Sequence, residues 1–325
     1  MGRIPWQAAH QFGVFTTEQA LAMGWTSRGL AWAASSGRLI RLRRGTFTAA
    51  ATELVGPELD RYRIGQQGVA AALRIPAATV SHVSAIGLHG LPLLEPVTWP
   101  CITLEPPLRT RPSALHVHRQ PIPVGQLDPG SDIKLTNVAR SCIDLTRECG
   151  LAAGVVAADA ALHLGLCTPA ELAAVYAESC RGRAGLTEGR RLLESLDANA
   201  ESVLESVSRL AMAGLPPPGT QVVIRTMHGR FLARVDFYWP EFGLVGEADG
   251  RLKYTDDELW REKERQDALA EHGLVTVRWG WSIARRPAAL RARLQEGMRR
   301  AGLLRAAGIP VTAIVRPEST LQRAC

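Results

Sequence analysis

Along the chain, the spacing of apolar positions switches between a helical period and a period of two. Near the N-terminus it is helical. Trp6 to Phe12 reads as a short helix. Phe15 to Gly24 reads as a second, with Thr16 or Thr17 as N-cap and Gly24 as stop. Arg28 to Ser36 is a third, with Leu30, Ala31 and Ala34 inward and Gly37 at its end. From Arg38 to Thr48 the residues alternate around Gly45, as a two-stranded ribbon does. Helices followed by such a ribbon predict a winged helix-turn-helix over residues 1–50.

Residues 51–195 are mixed. Thr79 to Pro92 is predicted as a helix ending at the proline. Trp99–Leu104 and Leu115–His118 read as strands separated by proline-rich chain. A helical run starts at Leu135 and continues, with breaks, to Leu196. Arg140 and Asp144, four apart, are expected to pair within one helix. His82 and His89 share a helical face but have no cysteine or carboxylate at ligand spacing, so they read as packed or capping histidines.

Residues 196–306 carry the most ordered pattern. Asn199 caps a helix whose apolar stripe is Val203, Leu204, Val207, Leu210 and Ala211, and Gly214 ends it. Strands follow at Gln221–Thr226, Phe231–Trp239 and Leu244–Glu247. Next come a charged helix from Asp256 to His272 and a strand from Leu274 to Trp279. Pro287 opens a last helix with Leu290, Leu294 and Met298 on one face and arginines over much of the rest. Residues 307–325 read as a tail.

Composition bounds the function. The 325 residues are 46% hydrophobic and 21% charged, as in soluble globular chains. No apolar run reaches the length of a membrane span and no secretory leader is evident. The six cysteines, Cys101, Cys142, Cys149, Cys167, Cys180 and Cys325, include no C-x-x-C pair. They read as reduced thiols in a cytoplasmic protein. The net charge of +7 gathers at the two ends: residues 1–50 hold six arginines against Glu18, and residues 278–306 hold eight against Glu296. That distribution favours a polyanion, double-stranded DNA above all.

On the N-terminal unit, the third helix is expected to enter the major groove, bringing Ser27, Arg28 and Trp32 to the DNA. Arg41, Arg43 and Arg44 on the ribbon are expected to meet phosphates. Near the other end, a hairpin of the strands carrying Asp236 and Glu247 would bring these acids together beside Asp249 and Gly250. Converging carboxylates repel unless a proton or cation joins them. Hard oxygen donors favour Mg²⁺, which polarises a phosphodiester and activates water.

Two resemblances sharpen this. The residues F-T-T-E-Q-A-L-A-M-G-W from Phe15 and S-G-R-L-I-R-L-R-R-G-T-F from Ser36 resemble the N-terminal domain of AbiEi-type antitoxins, transcriptional autoregulators paired with nucleotidyltransferase-type toxins. Residues 51–195 resemble the domain that follows it there. Residues from about Glu201 to Trp281 look like the family related to very-short-patch-repair endonucleases, within the PD-(D/E)XK group. That likeness implies Asp236 and Glu247 as Mg²⁺ ligands, Glu205 or Glu201 as the acid of the first helix, and Lys253 or Lys263 as the catalytic lysine. The sequence departs from the pattern in having Val235 where proline precedes the aspartate, and in Glu247-Ala248-Asp249, which puts an acid in the lysine's place. The expected fold class is therefore α+β multidomain: winged helix, mixed α/β middle domain, and restriction-endonuclease-like core. The expected function is a DNA-binding regulator of the antitoxin type. Its last domain is either a Mg²⁺-dependent DNA endonuclease or an inactive binding platform. A metal-dependent carboxylate site does not by itself choose DNA over RNA.

Overall fold

A computed structural model describes residues 3–75, 77–97, 99–105, 114–179, 186–250 and 256–315. The chain divides into two compact units, residues 1–198 and 199–325. Both mix helices with small sheets, and no helix among the described residues is long and apolar enough to cross a membrane.

The first unit opens with a 3-10 turn, Trp6–His10, then β1 (Val14–Thr16), α1 (Thr17–Ala22) and α2 (Ser27–Ser35). Strands β2 (Leu39–Arg43) and β3 (Thr46–Ala49) follow, and the sheet order is β1-β3-β2, all antiparallel. Thr16 and Gln19 form a reciprocal capping box at the start of α1. In α2 the inward residues are Leu30 and Ala33; Ala31, expected inward, is exposed, because i and i+3 set the buried stripe here. Phe15, Trp25, Leu30, Leu39 and Phe47 form one small core.

Helix α3 (Gly56–Ala72) leads to β4 (Ala78–Val80), α4 (His82–Leu88), β5 (Cys101–Leu104) and β6 (His116–Arg119). The helix expected from Thr79 therefore begins late. Residues 78–80 instead pair antiparallel with β5, which pairs parallel with β6. A three-residue strand carries too little pattern to compete with helical spacing. His82 stands at the first turn of α4 and His89 at its C-cap, where His89 Nε2 meets the Thr136 carbonyl at 2.8 Å. The unit closes with α5 (Val138–Cys149), α6 (Leu151–His163), α7 (Pro169–Ser179) and α8 (Leu186–Glu194). Arg140 and Asp144 pair within α5, as their spacing implied, at 2.7 Å, and both are fully buried.

The second unit runs α9 (Val203–Ala211), β7 (Gly219–Thr226), β8 (Phe231–Trp239), β9 (Leu244–Ala248), α10 (Asp256–Glu271) and β10 (Val275–Trp279). It continues with α11 (Trp281–Ala284), α12 (Pro287–Ala306) and β11 (Ala313–Val315). The sheet order is β10-β9-β8-β7-β11, with β10 parallel to β9 and the remaining pairs antiparallel. Phe237, Trp239, Leu244 and Val277 pack with Leu204, Leu290 and Leu294 on one side. Val235, Tyr238 and Val245 pack with Leu269 in a second cluster. The N-cap of α9 is Ser202 rather than Asn199: Ser202 and Glu205 form a serine–glutamate cap, while the Asn199 side chain donates to Thr220 Oγ1 at 3.3 Å. Residues 313–315, read as tail, add an edge strand to β7.

Candidate functional site

Two places gather the residues singled out by the sequence. In the first unit, Ser27 and Arg28 are exposed at the start of α2, whose N-cap, Thr26, accepts from the Gly29 amide at 3.0 Å. Trp32 lies further along the same helix, 54% exposed, with the Arg38 guanidinium 4.8 Å from its ring centre. Arg41 and Arg44 are exposed on the β2–β3 hairpin, and Arg41 lies 5.5 Å from the Phe47 ring centre. Arg43 behaves differently. It is half-buried, its Nη1 donates to the Ala114 carbonyl at 3.3 Å, and burial lowers its pKa. Arg43 and Arg44 also line an open cleft of about 430 Å³ together with Arg74. The chain thus sets an aromatic and several guanidinium groups on the surface of one small module, a chemistry suited to phosphates and nucleobases.

In the second unit, the antiparallel register of β8 and β9 places Phe237 opposite Gly246. One step further brings Asp236 opposite Glu247, on one face of the sheet. Asp236 Oδ2 accepts from the Ala248 amide at 2.8 Å. Its Oδ1 accepts from Gln221 Nε2 at 3.2 Å, and the same amide nitrogen donates to Glu205 Oε2 at 2.8 Å. Gln221 therefore ties the first helix to the strand aspartate. Its own backbone has φ of +50°, a left-handed conformation costly for a side chain other than glycine and one that recurs at functional sites. Burial raises the pKa of Asp236; the Ala248 amide pulls it back, and Glu205 raises it again. Burial likewise raises Glu247, which Arg265 offsets and Asp236 reinforces.

Glu205 also closes the α9 cap, accepting from Ser202 Oγ at 2.7 Å. Glu201 pairs with Arg234 instead of joining the acids. Lys263 is exposed, with its Nζ 5.5 Å from the Trp260 ring centre. Lys253 falls outside the described residues. A cation stands beside the acids in Arg265, whose Nη1 donates to Glu247 Oε1 at 2.8 Å. Neither Arg265 nor Gln221 stands out in the sequence. Arg265 lies two residues beyond a lysine on a helix crowded with charge, and Gln221 becomes visible only once the register of β7 and β8 is known.

Residues 7–50 match the family described as "Transcriptional regulator, AbiEi antitoxin". The "Uncharacterized protein MT2308" of Mycobacterium tuberculosis is 32% identical over 274 residues, spanning 82% of this chain and 94% of that protein. The chain belongs to the MT2308 family. The "Uncharacterized protein Rv2248" from a second strain of that organism matches this member of the MT2308 family equally, at 32% identity over 274 residues. A solved structure, that of the RV2827C protein of Mycobacterium tuberculosis, is similar at 15% identity and a TM-score of 0.32, covering 61% of this chain and 84% of that one.

Proposed function

We propose that this protein is a DNA-binding transcriptional regulator of the AbiEi antitoxin type. Residues 1–50 act as a winged helix: α2 lies in the major groove and the β2–β3 hairpin lies along the backbone. The observation that carries the reading is the antitoxin-family match over residues 7–50, the same stretch that exposes Arg28, Trp32, Arg41 and Arg44. Ser27 and Arg28 at the helix start are placed for base and phosphate contact. The partner that such a regulator restrains is a toxin, and the nucleotidyltransferase type is the class expected.

The test separates charge from fold. Arg41→Ala/Arg44→Ala removes two exposed guanidinium groups and leaves Arg43 bonded to Ala114. Binding of duplex DNA, followed by fluorescence anisotropy across a salt series, is expected to weaken by about tenfold or more. The salt dependence should flatten by about 0.9 for each phosphate that is no longer neutralised. An unchanged salt slope would place the DNA surface elsewhere, and no duplex binding by the wild type would remove the reading.

A second reading rests on the acids joined by Gln221. The donors are the hard oxygens that suit a divalent cation: Asp236 and Glu247 stand on adjacent strands, and Gln221 joins Glu205 to Asp236. Asp236 and Glu247 would hold Mg²⁺, with Glu205 beside them orienting water. The ion supplies Lewis acidity at a phosphodiester. Arg265 holds Glu247 in place, and Gln221 fixes the direction of the Asp236 carboxylate. Calorimetric titration with Mg²⁺ or Mn²⁺ should show binding that Asp236→Ala weakens at least about tenfold. A plasmid nicking assay run alongside asks whether cleavage accompanies binding. Ion binding without nicking in the wild type would leave the second unit as a platform; absence of ion binding would dismiss the site.

A further inference from the structure

The first unit holds a second cluster of ligating side chains that neither reading uses. The parallel pairing of β5 with β6 sets Cys101 opposite His116 and Thr103 opposite His118. Alternation along each strand then places Cys101, His116 and His118 on one face. Glu148 reaches that face from the last turn of α5. One donor atom from each of Cys101, His116, His118 and Glu148 lies within 4.8 Å of all the others.

The geometry points to a four-ligand transition-metal site, of the Zn²⁺ class, formed by Cys101, His116, His118 and Glu148. Three features support it. First, Glu148 Oε1 lies 2.7 Å from His116 Nδ1, while Glu148 Oε2 and His118 Nε2 face each other at 3.5 Å. Those last two atoms are buried and have no hydrogen-bond partner. Buried polar atoms left in this state are costly, and an ion between them would satisfy both. Second, the His118 ring is held in place. It stacks on His82 at 3.4 Å between centres and 8° between planes. His82 in turn meets Ser81 Oγ at 2.9 Å, and Ser81 meets Thr103 Oγ1 at 2.8 Å. His82 has φ of +52°, so the backbone tolerates strain to present this ring. Third, there is a way in. His116 is half-exposed, and a cavity of about 290 Å³ lined by His82, His118, Gln120, Asp144, Arg147 and Glu148 opens beside the donors.

The donor types select the ion. One thiolate, two imidazoles and one carboxylate suit Zn²⁺ in a tetrahedron, with bonds of about 2.0–2.3 Å and donors about 3.3–3.8 Å apart. The widest present spacing closes by about 1 Å to reach that. Cys101 gives its proton to solvent as the thiolate binds. Mg²⁺ is disfavoured by sulfur and nitrogen donors. With four protein ligands the site is closed, so its role is to clamp β5 and β6 to the end of α5 rather than to activate water.

The full-length protein, stripped with chelator, is titrated with Zn²⁺ calorimetrically and with Co²⁺ by absorption. The wild type is expected to bind about one ion at micromolar affinity or better, with a thiolate-to-cobalt charge-transfer band and a higher melting temperature. Cys101→Ser, nearly isosteric, should lose the band. His116→Ala, at an exposed position, should weaken Zn²⁺ at least about tenfold. The thiolate-to-cobalt band, which an all-carboxylate site cannot give, separates this site from the acids of the second unit. Circular dichroism checks that each variant is folded, and if Cys101→Ser is not, His116→Ala decides alone. No ion uptake by the wild type, or uptake that a folded variant leaves unchanged, overturns the assignment.

Discussion

Replacing Asp144 with alanine is expected to lower the unfolding free energy of the first unit by about 3–5 kcal/mol. Asp144 has no exposed surface and Arg140 almost none, at 0% and 1%. Arg140 Nε donates to Asp144 Oδ2 at 2.7 Å, and Arg140 Nη1 donates to Gln126 Oε1. Gln120 Nε2 and Arg147 Nη1 approach Asp144 Oδ1 at 3.4 and 3.5 Å. Gln126 carries the network to α7 through Glu178 and Ser179. Truncation at residue 144 leaves a buried guanidinium without its anion, and an unpaired buried charge costs more than its pair contributes. The double replacement Arg140→Met/Asp144→Leu should recover most of the loss, since it removes both charges and keeps volume. Urea unfolding of the three proteins measures this. A loss below about 1 kcal/mol for Asp144→Ala, the range of an exposed pair, would mean that water reaches the site.

Gly87→Ala is expected to cost about 3 kcal/mol, against a usual gain for alanine over glycine within a helix. A Cβ at Gly87 would stand 2.2 Å from the Arg61 carbonyl oxygen, and that oxygen belongs to the backbone of α3. The obstacle cannot swing aside as a side chain does, so α3 and α4 must separate. Gly65 and Gly68 face the same interface: their Cβ atoms would meet Leu88 at 2.6 Å and Ser84 at 3.0 Å. Gly302 provides the opposite case. It lies within α12, and a Cβ there meets nothing within 4 Å. Gly302→Ala should therefore stabilise by up to about 1 kcal/mol. Thermal melts of the two variants should move in opposite directions; a shared direction would show that helix propensity, not the α3–α4 packing, sets the response.

The elements were legible to the degree that their patterns were long. The helical stripe of Val203, Leu204, Val207 and Ala211 and the aromatic run of β8 were readable because each repeats its period several times. The strands β1 and β4, with three residues each, were not. Their pairing partners stand far off in sequence, and a strand that short has no period of its own. The same reasoning separates the sites. Asp236 and Glu247 could be singled out because a short hairpin joins them. Gln221, Arg265 and the cluster of Cys101, His116, His118 and Glu148 come from separate elements, and no spacing along the chain announces them.

What the sequence determined alone is local: the apolar stripe of α9, the alternation of the ribbon, the Arg140–Asp144 spacing, and the arginine-rich ends. Each depends on neighbours within a turn or a pleat. Tertiary structure alone decided which exposed arginine is tethered, which cation stands beside Glu247, and that a cysteine on β5 meets a glutamate on α5. Those outcomes depend on strand register and on packing between distant elements. One residue of slip in β2, β5 or β9 would turn Arg43, Cys101 or Glu247 to the opposite face, so short-range pattern carries no record of these meetings.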